Sequence, residues 1–214
     1  MAWPYDLGRA RNRADVGMID AGASLCFKAV ACLRGERLLF EGMDFALAAG
    51  EAALVAGPNG TGKSSLIRLA AGLLQPAAGQ IERRGRMALS DENLALDMGK
   101  PLKQAMTFWA RIDGAQDQAV VDALAALSLR RLAEVPVRML STGQRKRAML
   151  ARVIASGAAI WLLDEPANGL DTASLELLGG IMQIHLAGGG IILAASHQPL
   201  PLMFTHYIPL EAVA

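Results

Sequence analysis

Eight residues, Gly57-Pro58-Asn59-Gly60-Thr61-Gly62-Lys63-Ser64, constrain this chain more than any other stretch. They match the phosphate-binding loop pattern G-x-x-x-x-G-K-[ST] at every fixed position. Before them, Ala52, Ala53, Leu54, Val55 and Ala56 read as a short buried strand. After them, Ser65-Leu66-Ile67-Arg68-Leu69-Ala70-Ala71 reads as a helix, so the loop has the strand–loop–helix setting that phosphate binding needs. Its glycines let the backbone curl until several N–H groups converge into an anion nest. The helix start adds partial positive charge, Lys63 reaches the terminal phosphates, and the Ser64 hydroxyl is placed to ligate magnesium. Gly57 to Ser65 is therefore the candidate phosphate-binding set. A mere glycine-rich turn would not need both the strand and the helix.

Composition narrows what the loop can serve. A chain of 214 residues is one large domain or two small ones. A formal net charge of +1 leaves no electrostatic footprint for nucleic acid. Hydrophobic residues make up 53% and the mean hydropathy is +0.30, yet no run approaches the roughly 18 apolar residues of a membrane span. Surplus apolar surface on such a chain implies a face covered by a stable partner. Cys26 and Cys32 lack metal-ligand spacing and read as small buried residues in a reducing compartment. The N-terminus carries Arg9, Arg11 and Arg13 and no apolar signal core, so a cytoplasmic chain is expected. Residues 1–22 read as a poorly ordered extension, with Met18 as a candidate natural start.

Strands are expected over Leu25–Leu33 and Arg37–Leu47, before the loop, with a strand pair somewhere in Gln80–Leu89. Helices are expected over Pro101–Ile112 and Asp117–Leu132, the second with Val120, Val121, Leu124 and Leu127 on one face. Asp122 and the Arg130-Arg131 pair read as a solvated surface. Further on, a helix from about Gln144 to Ala155, a strand at Ile160–Leu163, a helix over Ser174–Leu186 and a strand at Ile191–Ala195 alternate. That alternation implies a mostly parallel sheet with working loops at the carboxyl ends of its strands.

Three further pieces lie at such ends. Asp164 follows an apolar strand, where a second magnesium-directed carboxylate belongs, and Glu165 beside it can polarise an attacking water. His197 follows the next strand and can hydrogen-bond a terminal phosphate and hold that water. His185 and His206 read as structural. Leu140-Ser141-Thr142-Gly143-Gln144 opens a helix and forms a second anion-capable N-terminus, with Ser141 as its cap. Two half-sites in one chain make sense if two chains pair head to tail.

These motifs stand in the order found in ABC-type ATPases, which the chain resembles from about Leu25 onward. Asp164 falls 23 residues after Ser141, and His197 falls 33 after Asp164, in keeping with that family. The resemblance implies an α/β fold of the P-loop NTPase, ABC ATPase type. Its parts would be a mostly parallel sheet, an antiparallel N-terminal sheet region and a small helical subdomain at about 95–155, all within one ATP-binding domain over 23–214. It implies ATP and Mg2+ as cofactors, with Ser64 and Asp164 on the metal and Glu165 and His197 as catalytic residues. A homodimer is implied as well, in which Leu140, Ser141, Thr142, Gly143 and Gln144 of one chain cap the nucleotide of the other. Gly169-Leu170-Asp171 would lie at the dimer contact.

Arg34-Gly35-Glu36-Arg37-Leu38-Leu39-Phe40, the run from Leu140 to Arg147 and Ser196-His197-Gln198-Pro199-Leu200 resemble one branch more closely. That branch is the ATP-binding subunits of cytochrome c maturation, the haem-exporter type. It implies a peripheral subunit on the cytoplasmic face of the bacterial inner membrane, bound to separate integral membrane subunits and concerned with haem only indirectly. ATP-binding subunits of other small-molecule exporters or importers share these motifs, because substrate choice resides in the membrane partners. Arg34 stands near the place where common members stack adenine on an aromatic ring, and a guanidinium can also stack on a base. Asp91 stands nearest the place of the usual glutamine between nucleotide and transporter.

Overall fold

The computed structural model describes residues 22–91 and 95–211. The expected N-terminal extension, Met18 included, falls almost wholly outside them. Two sheets divide the strands. The first is antiparallel, in the order β2-β1-β4, from β1 (Ser24–Arg34), β2 (Arg37–Ala48) and β4 (Ala78–Arg84). The second is parallel in every pairing, in the order β5-β6-β7-β3-β8. It is built from β3 (Ala52–Ala56), β5 (Met87–Ser90), β6 (Ile160–Asp164), β7 (Ile191–Ala195) and β8 (His206–Pro209).

β6 and β7 are buried at every position, as strands covered on both faces must be. Side chains alternate across a strand, so Ile160, Leu162, Ile191 and Leu193 face one way. They share a core with Leu25 and Phe27 of β1 and with Leu66, Ile67 and Leu69 of α1 (Lys63–Ala70). Trp161, Leu163, Ile192 and Ala194 belong to the other core. That core takes in α2 (Leu102–Ile112), α3 (Asp117–Ala126), α4 (Thr142–Ala155) and α5 (Thr172–Ala187). α2, α3 and α4 fall within the stretch expected to be helical. Among the described residues no helix is long and apolar enough to cross a membrane.

Four local expectations need correction. Gln80–Leu89 does not yield two paired strands: β4 joins the antiparallel sheet and β5 the parallel one. Gly85, at φ +100, makes the passage between them, with Ala23 too near to admit a longer residue comfortably. α3 ends at Ala126 rather than Leu132, because Ser128 turns left-handed at φ 56 and so drives Leu127 and Leu129 into the core. β8 was not expected; only four residues long and closed by Pro209, it pairs with β3 in parallel, His206 opposite Ala53. Of the two cysteines only Cys32 is fully buried, Cys26 being partly exposed.

Candidate functional site

β3 delivers the chain to the phosphate loop, and the geometry there demands glycine. At Gly57, φ is +150, and a Cβ would lie 2.2 Å from the Leu210 carbonyl oxygen just beyond β8. Gly62 caps α1 in the left-handed region at φ 106, with Leu39 and Phe40 of β2 packed behind it. The Thr61 hydroxyl donates to the Pro58 carbonyl at 3.0 Å and ties the loop across itself. Lys63 is buried, and its Nζ donates to the carbonyls of Gly57 and Pro58 at 2.8 and 3.0 Å.

The loop forms one wall of a crevice of about 370 Å³, lined on that side by Asn59, Gly60, Gly62, Lys63, Ser64 and Ser65. Glu165, Asn168 and His197, from beyond the ends of β6 and β7, complete the lining together with Leu39 of β2. Parallel pairing of β6 with β7, Asp164 opposite Ala195, brings Glu165 and His197 to adjacent strand ends. His197 Nδ1 lies 2.8 Å from Glu165 Oε2, and the His197 backbone N–H donates to the same oxygen at 3.3 Å. The other carboxylate oxygen, Oε1, sits 4.0 Å from Lys63 Nζ. Glu165 holds a positive φ of 48, a conformation that a non-glycine residue adopts at a cost of about 1–3 kcal/mol. Its N–H donates to the Ala195 carbonyl at 2.8 Å, so the strand neighbour holds the strained turn in place. Asp164, buried, ends β6 just before it. A carboxylate and an imidazole in contact, facing a cationic anion cradle, can activate and orient a water against a phosphate.

Ser141 N-caps α4 in a reciprocal capping box: its Oγ accepts from the Gln144 N–H at 3.3 Å, and Gln144 Oε1 accepts from the Ser141 N–H at 2.9 Å. None of Leu140–Gln144 lines the crevice of its own chain. Gly143 does meet the turn after β6, because a Cβ on it would lie 3.1 Å from the Gly169 carbonyl oxygen. Asp171 caps α5 by accepting from the Ser174 N–H at 2.8 Å, and hydrogen bonds from Ser174 hold its carboxyl below the usual range. Arg34 is exposed at the end of β1, opposite Arg37, and is not part of the crevice lining. Asp91 lines a separate small cleft with Ser90 and Arg152.

The ABC transporter family profile matches residues 40–168. The chain is 57% identical to a Sphingopyxis alaskensis protein over 83% of its own length and 92% of that protein's. It is 54% identical to a Zymomonas mobilis protein over 88% and 85% of the two chains. Both relatives bear the name cytochrome c biogenesis ATP-binding export protein CcmA. The chain belongs to the ABC transporter ATPases. Among solved structures, it superposes with a TM-score of 0.73 at 26% identity on an ABC transporter of metal-chelate type in an inward-facing conformation. That match covers 83% of this chain and 74% of the other. As a member of the family it binds ATP and hydrolyses it.

Two residues that line the crevice escaped sequence reasoning. Asn168 sits between the Glu165 turn and Gly169, and its polar side chain so close after a strand-end carboxylate was a usable signal. Leu39 offered none, since an apolar residue in an alternating strand is indistinguishable from core until the loop is laid against it.

Proposed function

We propose that this chain is the ATP-hydrolysing subunit of a membrane export complex for c-type cytochrome assembly, working as a homodimer that closes on two ATP molecules. The observation that carries the dimer is the division of the site. The phosphate loop, Glu165 and His197 share one crevice, while the capping helix of Ser141 and Gly143 opens outside it. A second copy turned head to tail brings Ser141 and Gly143 against the nucleotide, with Gly169, Leu170 and Asp171 at the seam. Relatives above 50% identity over most of the chain carry the cytochrome c biogenesis name, which supports that role.

In this reading the N–H groups of Gly57 to Ser65 and the Lys63 ammonium hold the phosphates. Lys63 exchanges its carbonyl partners for phosphate oxygens, a stronger, charge-assisted contact. Glu165 takes a proton from the attacking water, and His197 orients Glu165 and the terminal phosphate. The base leaves past Leu39 toward the β1–β2 hairpin, where Arg34 is the residue able to stack on it. The Ser64 hydroxyl and the Asp164 carboxylate are hard oxygen donors, and they fit Mg2+, which takes one or two protein oxygens and completes its shell with phosphate and water. Bound there, the ion would neutralise charge on the phosphate oxygens. The subunit sits on the cytoplasmic face of the bacterial inner membrane against separate integral membrane subunits, touches haem only indirectly and binds no nucleic acid. Asp91 lies on the side that meets those subunits.

Glu165→Gln tests the mechanism. It should keep ATP binding, accumulate as an ATP-dependent dimer on size exclusion, and lose turnover by about 100-fold or more. Unchanged turnover would remove Glu165 as the base, and a monomer at saturating ATP would refute the sandwich. For the cellular role, deleting the gene should abolish haem-stained c-type cytochromes, and their survival would overturn it.

A further inference from the structure

Two side chains outside the crevice hold the two flanks of Asp91, and they also hold each other. Arg152, in the last turn of α4, donates from Nη2 to the Leu89 carbonyl at 2.9 Å. Trp109, on α2, donates its indole N–H to the Ala95 carbonyl. The Arg152 guanidinium lies over the Trp109 ring, with Cζ 5.0 Å from the centroid. Burial works against the Arg152 charge, and the carboxylates of Asp113 and Asp91 work for it. A cation withdrawn from water is kept only where its partners replace the water, so this contact is a committed one.

What makes the clasp informative is where α4 leads. Arg152 stands near one end of a helix whose other end is capped by Ser141 and carries Gly143. A helix of this length is a rod of about 20 Å, so a change of tilt at Arg152 is delivered to Ser141 undiminished. Arg86, just before β5, donates to the carbonyls of Ser156 and Gly157 at 3.2 and 3.1 Å and so anchors the C-terminal end of α4. It also reaches the Asp113 carbonyl at 2.6 Å, at the end of α2. The bond from Arg152 to Leu89 ties the same part of the rod to β5, beside that anchor.

We propose that Arg152 and Trp109 are a positioning pair for ATP hydrolysis. Together they couple the chain on either side of Asp91 to the placement of Ser141 and Gly143, without touching the nucleotide. This rests on the reading that Ser141 and Gly143 act on the opposite chain's ATP.

The test uses the full-length chain and the variants Arg152→Met, Arg152→Lys, Trp109→Phe and the Arg152→Met/Trp109→Phe pair. For each, kcat, KM, affinity for a fluorescent ATP analogue and melting temperature are measured, and dimer affinity is read in the Glu165→Gln background. Arg152→Met should lower kcat about tenfold, the factor that a half-buried cation–π contact, between the exposed and desolvated cases, corresponds to. Nucleotide affinity should stay within about twofold, and dimer affinity should fall with kcat. Arg152→Lys should recover part of the loss, and Trp109→Phe should add little to Arg152→Met because both break one clasp. Wild-type kcat and dimer affinity in Arg152→Met would overturn the proposal, as would parallel losses of nucleotide affinity and melting temperature. If Arg152→Met does not fold, Trp109→Phe decides: it loses the donor to Ala95 and weakens the stack under Arg152, and an unchanged kcat would overturn the proposal. Failure of the underlying reading looks different, since Glu165→Gln alone would then not dimerise with ATP, and the proposal would fall with it.

Discussion

Acid should weaken this protein through one histidine. His185, on α5, is buried and stacked on Trp161 of β6, ring centroids 3.8 Å apart and planes 11° from parallel. Its Nε2 has no hydrogen-bond partner among the described residues, and Gly190 packs so closely that a Cβ there would lie 2.2 Å from it. Burial, opposed only by backbone hydrogen bonds at Ile191 and Ala159, brings the imidazole down from 6.5 to about 4. A lowered folded-state value means that the unfolded chain binds the proton more readily. The stabilisation is therefore complete above pH 6.5 and is lost as pH falls from there toward 4. Linkage puts the loss at about 1 kcal/mol at pH 6 and about 2 kcal/mol at pH 5, out of roughly 3 kcal/mol in all. Urea unfolding at pH 7.5, 6 and 5, compared between wild type and His185→Phe, isolates this contribution, because every other titrating group is common to both. The phenyl ring keeps the stack on Trp161 and has no proton to gain, so the variant's stability should fall less steeply with acid by these amounts. Parallel curves would refute the reasoning, as would an NMR titration of the His185 ring centred near 6.5. The effect bears on function because β6 carries Asp164 and Glu165 at its end.

Three other outcomes follow from the site. Gly57→Ala puts a methyl against the Leu210 backbone, which cannot swing aside, so unfolding free energy should fall by about 2 kcal/mol or more; an unchanged urea midpoint would contradict the geometry. Gly143→Ala gains helix propensity but crowds the Gly169 carbonyl, so stability should change by less than about 1 kcal/mol while ATP turnover drops. Full turnover in that variant would show that the helix start and the Gly169 turn do not need their close fit. Asp164→Asn should raise the magnesium concentration needed for half-maximal hydrolysis, and an identical metal dependence would remove Asp164 from the ion.

The phosphate cradle could be read from sequence because its chemistry is local. Gly57, Gly62, Lys63 and Ser64 fall within eight residues of chain, so spacing alone brings out the pattern. β6 and β7 were equally plain, since a strand covered on both faces must be an unbroken apolar run. Strand partners were not legible in this way. β4 and β5 look alike as short strands, and only the turn at Gly85 and the sheet edges available to each send them to different sheets. β8 carries too few residues for a period, and it exists because β3 offers it a free edge. The contact of Glu165 with His197 depends on the register of β6 against β7, a long-range choice that no local pattern encodes. The same holds for Arg152 and Trp109: they lie 43 residues apart and meet only because α2 and α4 pack on one core. Sequence alone thus specified the phosphate-loop pattern, because backbone and side chains there act over a few residues. Tertiary structure decided which groups share a crevice with the loop and which helix start lies outside it, because packing and register set distances between residues remote in sequence.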